Sequence, residues 1–329
     1  MQDQTSRPLR RLSRRISVFD GQDLKKALLS GAAWLEEHRE QINALNVFPV
    51  PDGDTGSNMS KTMQAAVQSI EKSDDHSAAV ISARLAHSAL LGARGNSGVI
   101  LSQILRGLAL GLEKKTTFTA PDLAQAMQEA QRLAYLAVIK PVEGTILTVV
   151  RETAEAARVS VEHDSDLVAL LQDMVTAARQ SVAHTPELLP ALKQAGVVDS
   201  GGQGFCTVLE GIWRYVRGEA NMQLPTTPYM QPAEIKKGVV TIEEEFGYEV
   251  VFLLRGESLD VEMIRQKIID MGGVSTVVAG DETMLKVHTH AEQPGKILDY
   301  GVSLGSLLDI NIENLQEQSL TYAAESAAE

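Results

Sequence analysis

Two aspartates one glycine apart, Asp52 and Asp54, stand in the stretch NVFPVPDGDTGSN, Asn46 to Asn58. Carboxylates so spaced offer oxygen ligands to a hard divalent cation such as Mg2+. The intervening glycine permits a tight turn, and the small polar residues after it run into a helical pattern, NMSKTMQAAVQSI. Thr55, Ser57 or Asn58 is expected to cap that helix. Free N–H groups and the positive end of the dipole favour phosphate there. A metal–nucleotide complex suits both halves of the arrangement, whereas a bare DGD alone would read as an ordinary capped turn. An EF-hand is excluded, because its bidentate glutamate position, counted from Asp52, falls on Met63.

Two further small-residue stretches open helices. In GARGNSGVILSQ, Gly92, Gly95 and Gly98 flank Asn96 and Ser97 ahead of an apolar run. It is not a Walker A loop, since no Lys precedes the Ser. In VVDSGGQGF, Asp199 and Ser200 precede Gly201, Gly202 and Gly204. Three such loops at helix starts enclose a phosphate site if the fold gathers them at one end.

A different chemistry is written in KVHTHAE. Side chains alternate along a strand, so His288 and His290 share a face while Leu285 and Val287 take the core side. A His-x-His pair needs a third ligand for zinc. If the first and third strands of this region pair antiparallel, Glu249 in FGYEVV lies beside His290. Two histidines on an exposed sheet face are the plainer alternative.

The elements that must position these groups fall into two halves. From Asp20 to about Arg217 the period is helical, with Leu24, Leu28 and Leu35, then Met59, Met63, Val67 and Ile70 at core spacing. About eight helices are expected, packed as a bundle over residues 20–218. PTTPYMQP marks a linker over 219–238. Residues 239–316 then read β-α-β-β-α-β, the order of a ferredoxin-like α+β domain. The ends, 1–19 with five arginines and 317–329, read as flexible tails. Val251 and Leu253 share the Glu249 face, which predicts an apolar sheet surface buried against a second copy, a homodimer.

At 329 residues and a formal charge of −13, the chain is acidic, which argues against nonspecific nucleic-acid binding. Its single cysteine, Cys206, excludes an internal disulfide and fits a reducing, cytoplasmic setting. No apolar run approaches the ~20 residues of a membrane span.

The stretches NALNVFPVPDGDTGSNM, ARGNSGVILSQ, KPVEGTILTVVRE and VVDSGGQGF together resemble the nucleotide-binding domain of dihydroxyacetone kinases, in the form found in bacterial fatty acid kinase A. The likeness continues through FGY and KVHTHAEQPGKIL to IENLQEQ. It implies an eight-helix barrel binding ATP with Mg2+ at one end. It also implies phosphorylation of a fatty acid held by a separate lipid-binding protein, giving an acyl phosphate for phospholipid synthesis. By that likeness Asp52 and Asp54 are the Mg2+ ligands, and Asn46 stands where related kinases have a third aspartate. Thr55, Gly56, Ser57, Asn58, Asn96, Ser97 and Gly98 would address phosphates. Asp199, Gly201 and Gly202 would close over the nucleotide, and Arg94 and Lys140 are candidates to neutralise the transferred phosphate. Family members carry zinc in the second domain, with cysteine where this chain has Glu249. They also run on into a third domain that helps engage the lipid carrier, so its absence here leaves that partner open. A kinase component for a small hydroxy-ketone and a non-catalytic ATP-binding regulator are the other two readings.

Overall fold

The computed structural model describes residues 15–138, 140–219 and 247–317. The basic segment before Arg15, most of the expected linker and the last twelve residues lie outside the described residues. Arg15–Phe19, expected within a loose tail, are instead tied down. Ile16 N–H donates to Asp166 at 2.7 Å, and β1 (Phe19–Asp20) pairs antiparallel with β2 (Thr117–Phe118).

The helical half runs through α1 (Gly21–Glu37), the short α2 (Arg39–Asn43), α3 (Thr55–Glu71), α4 (Ala78–Gly92) and α5 (Gly95–Gly111). It continues through α6 (Ala120–Ala137), α7 (Ile146–Ser160), α8 (Leu167–Leu188), the short α9 (Pro190–Ala195) and α10 (Ser200–Val216). Each long helix packs on its long successor, and α10 returns to α1. Small side chains permit this closeness: a Cβ on Gly107 would meet Ala130 Cα at 2.3 Å. The apolar spacing read from sequence is used as expected, with Leu24, Leu28, Leu35, Met59, Met63, Val67 and Ile70 all in one core.

The second unit follows as β3 (Tyr248–Arg255), α11 (Val261–Asp270), β4 (Val274–Gly280), β5 (Met284–Ala291), α12 (Pro294–Leu304) and β6 (Ser306–Asn314). Its sheet order is β4-β5-β3-β6, with all pairs antiparallel. Val250, Phe252, Leu254, Leu285 and Val287 form a core with residues of α11 and α12.

The opposite face corrects the expectation of an exposed sheet surface. It is not an open surface, because the helical unit of the same chain covers its β4 side. Val277 and Ala279 of β4 pack with Leu90, Ala93, Val99 and Ala137. Val138 bridges to Val277, and Arg106 donates to the carbonyl of Gly280. His288 and His290 are 1% and 6% exposed, and Val251 and Leu253 are buried too. The apolar face therefore gives no ground for a homodimer, and the histidines are not surface groups.

Candidate functional site

The DGD turn is held from behind. Asn46 Nδ2 donates to the Val50 carbonyl at 2.6 Å, while its Oδ1 accepts from Thr55 N–H at 3.1 Å and from Thr55 Oγ1. Asn43 Oδ1 accepts from Ser57 N–H at 3.0 Å, and Asn43 Nδ2 donates to Ser57 Oγ. The expected capping by Thr55, Ser57 or Asn58 is thus corrected. The helix begins one residue after Asp54, so these three lie inside its first turn, and asparagines from the preceding segment take its N–H groups. Gly56 is required by that approach, since a Cβ there would lie 2.2 Å from the Arg39 carbonyl oxygen. Gly53 takes a φ of +67°, turning the chain between the two carboxylates. Asn58 Nδ2 then donates to Asp54 Oδ2 at 2.7 Å.

Three more helix starts meet α3 here. Arg94, at the cap of α5, donates its backbone N–H to Thr62 Oγ1 at 3.2 Å. Gly98 fits because a Cβ would lie 2.4 Å from that same Oγ1, so part of the GNSG signal is helix packing. Ser97 is half-buried, and Asn96 Oδ1 is buried with no hydrogen-bond donor among the described residues. Ser200 Oγ, first in α10, lies 3.1 Å from Thr55 Oγ1. Asp199 caps α10 through Gly202 N–H at 2.6 Å and also meets the Ile146 N–H that opens α7. Gly202 packs on α7, where a Cβ would come within 2.7 Å of Val149. The three small-residue loops of the sequence are therefore at one end of the bundle. Lys140 is exposed on the α6–α7 connection and takes no part in the contacts described.

Electrostatically this end is strained. Burial, then the charge of Asp54, pushes the Asp52 carboxyl up to about 9, and burial also raises Asp54. Both are half-buried. Burial pushes Asp199 up to about 7, against the opposing pull of two backbone N–H groups. Carboxylates crowded this way are stabilised by a cation.

The sheet brings a second ligand set to the same place. Glu249 is the register partner of His290, and Val251 that of His288. Ligand atoms of Glu249, His288 and His290 all lie within 4.8 Å of one another. His288 Nδ1 is 3.3 Å from Glu249 Oε1 but outside hydrogen-bond geometry, and neither ring nitrogen of His288 has a hydrogen-bond partner among the described residues. Burial holds His288 neutral and takes His290 down to about 4. Neutral imidazoles with orphaned buried nitrogens beside a carboxylate are what a zinc ion requires.

The two ligand sets face one another. Glu249 is pushed up to about 7, by burial first and then by the charge of Asp54, while Arg94 and Lys286 draw it down. Glu313, the register partner of Glu249 on β6, raises Asp54 as well. Sequence reasoning missed Lys286, Asp309 and Glu313. The alternation that joins His288 to His290 also puts Lys286 on their face, but the edge strand β6 carried no such signal.

The DAK2 domain model matches residues 49–214, and the FakA-like (fatty acid kinase) middle domain model matches residues 245–321. Protein YloV of Bacillus subtilis is 39% identical over 323 residues, covering 95% of this chain and 58% of that protein. An uncharacterized protein of Staphylococcus saprophyticus is 36% identical over 318 residues, covering 92% and 56%. One from Staphylococcus aureus is 36% identical over 312 residues, covering 92% and 57%. The chain thus spans just over half the length of these relatives. It belongs to the family of DAK2-domain proteins that carry a FakA-like middle domain.

Proposed function

We propose that the chain is the ATP-binding part of an acyl kinase, transferring the γ-phosphoryl group of ATP to a fatty acid carboxylate presented by a separate lipid-binding protein. The observation that carries this reading is the meeting of Asp52 and Asp54 with the starts of α3, α5, α7 and α10. In it, the helical succession is the eight-helix barrel of dihydroxyacetone kinases, and the second unit follows the ferredoxin-like plan.

Asp52 and Asp54 are the residues that would hold Mg2+, which when bound supplies charge neutralisation to the phosphate oxygens. Asn46, with both ends of its amide engaged, orients the turn and Thr55 rather than adding a ligand. The first-turn N–H groups and the Ser57, Asn58, Asn96 and Ser97 side chains address phosphate. Asp199 keeps α10 seated against α7 so that Gly201 and Gly202 border the nucleotide. Glu249, His288 and His290 would hold zinc, which would pin β3 to β5.

The acceptor carboxylate is already ionised at neutral pH, given a reference pKa near ~4. One of its oxygens forms a bond to Pγ, and the bond from Pγ to the β–γ bridging oxygen breaks, its electron pair leaving with ADP. No proton is removed, so no general base is needed. The remaining problem is anion meeting anion, which oriented N–H donors and cationic side chains offset.

Calorimetry of the whole chain with ATP, with and without Mg2+, tests the nucleotide half. Hydroxylamine trapping of acyl phosphate from a loaded lipid carrier tests the acceptor half. Nucleotide binding with transfer only to dihydroxyacetone would move the chain to the ketone kinases. Binding with transfer to neither acceptor would make it a regulator.

A further inference from the structure

Lys286 stands two residues before His288 on β5 and shares its face. Its side chain is 0% exposed. A buried ammonium is costly unless paired, and it carries three donors to satisfy. Among the described residues Nζ has one hydrogen-bond acceptor, Asp309 Oδ2 at 3.1 Å. The same oxygen lies 3.5 Å from Arg94 Nη1, at the start of α5. Two cations, one from each unit, share a single carboxylate oxygen.

The backbone bends to put that oxygen there. Between Leu308 and Asn311, β6 has one residue more than its partner β3 has between Leu253 and Val251. Asp309 occupies this bulge with a φ of +49°, a left-handed conformation that Asp adopts more readily than most side chains. Bulges re-aim side chains, and here one turns a carboxylate on an edge strand towards the helical unit. Arg94 and Lys286 both also face Glu249, which in turn faces Asp54. They therefore stand across from the acidic pair, where a second reactant must approach a nucleotide held at Asp52 and Asp54.

The geometry points to an oxyanion clamp, Arg94 Nη1 with Lys286 Nζ, that receives the acceptor's carboxylate, Asp309 being the internal carboxylate that holds the clamp in shape until the acceptor replaces it. The inference rests on the kinase reading. It exchanges one carboxylate for another at the two cations. The γ-phosphate of ATP is the competing source of the same oxyanion chemistry.

Decanoate, titrated calorimetrically into the full chain in the presence of Mg2+ and ADP, tests the clamp. Wild type binds decanoate. Lys286→Met weakens that binding at least tenfold, while its affinities for Mg-ADP and for the non-hydrolysable ATP analogue AMP-PNP stay within twofold. Asp309→Asn binds decanoate at least as tightly as wild type. Unchanged decanoate binding by Lys286→Met, or none by wild type, overturns the clamp. Weakened AMP-PNP binding with intact decanoate binding also overturns it, assigning the cations to the γ-phosphate. If Lys286→Met does not fold, Arg94→Met and Asp309→Asn decide: the first must weaken decanoate binding and the second must not. Loss of the kinase reading registers separately, as wild type failing to bind Mg-ADP, and takes the clamp with it.

Discussion

Ser200 Oγ lies 3.1 Å from Thr55 Oγ1, joining the first turns of two helices 145 residues apart in sequence. Thr55 is in turn held by Asn46, so the acidic turn, α3 and α10 form one hydrogen-bonded unit. Stability and ligand binding should therefore respond together to changes in it.

Asn46→Ala strips an acceptor from Thr55 N–H and a donor from the Val50 carbonyl, both buried or nearly so. The expected cost is about 2–4 kcal/mol, because unmet buried polar groups lose their solvation without return. Denaturant unfolding measures it, and Mg-ATP affinity should fall in parallel. A variant with wild-type stability and weakened Mg-ATP binding would instead make Asn46 a direct ligand.

Asp52→Asn removes a carboxylate that burial and Asp54 make unfavourable in the metal-free protein. At neutral pH its metal-free melting temperature should rise by about 2–4 °C for each kcal/mol that keeping this carboxyl protonated costs the folded chain. Magnesium-dependent nucleotide binding should vanish in the same variant. Such opposite movement of stability and binding is expected of a site that sacrifices stability for function.

Zinc should be present at one ion per chain in protein purified without a histidine tag or chelator, as elemental analysis can show. His288→Ala should contain none. Glu249→Cys should retain zinc at chelator concentrations that strip wild type, because thiolate is the softer ligand.

The apolar seam between the units rests on Val277, 3% exposed against Ala93 and Val99. Val277→Asp buries a charge there without a partner, which is costly enough to part the units. Small-angle scattering should show a larger radius of gyration with both cores still folded. A radius equal to wild type would mean that the seam is not what joins them.

Asp199 is one source of pH dependence, beside Asp52 and Glu249. Its carboxyl is raised from 3.8 to about 7 in the folded chain. Folded protein thus holds a proton that the unfolded chain releases, so this contribution is fully present below pH ~4 and lost as pH rises through about 7. The loss is on the order of 2–4 kcal/mol. Asn caps helices as well as Asp does, so Asp199→Asn should lessen the fall in stability of the metal-free protein between pH 4 and 7, the remainder coming from Asp52 and Glu249. An unchanged slope in urea titrations would place the effect on another group.

Much of the site was legible because it is local. Glycine with small polar residues before an apolar period marks a helix start, and the loops around Asp52, Ser97 and Asp199 all proved to be one. Strand alternation likewise put His288 and His290 on a common face and Glu249 in register beside them. What escaped notice depends on contacts between distant segments. The acceptors on Asn43 and Asn46 look like ordinary loop amides until α2 folds back along α3. Val251 and Leu253 are buried within the single chain, which the apolar stripe alone does not distinguish from a surface awaiting a second copy. The Asp309 bulge breaks the period of LLDINIE without a glycine or proline to announce it.

The groups proposed to act together are scattered from Asn46 to Glu313, and the last of them lie on the final strand of the second unit. During synthesis the N-terminal half emerges and folds first. A ribosome-bound chain short of β6 thus presents its acidic pair without Glu313, Asp309 or the sheet that carries Lys286. The complete constellation therefore exists only after β6 has been made and has emerged from the ribosome.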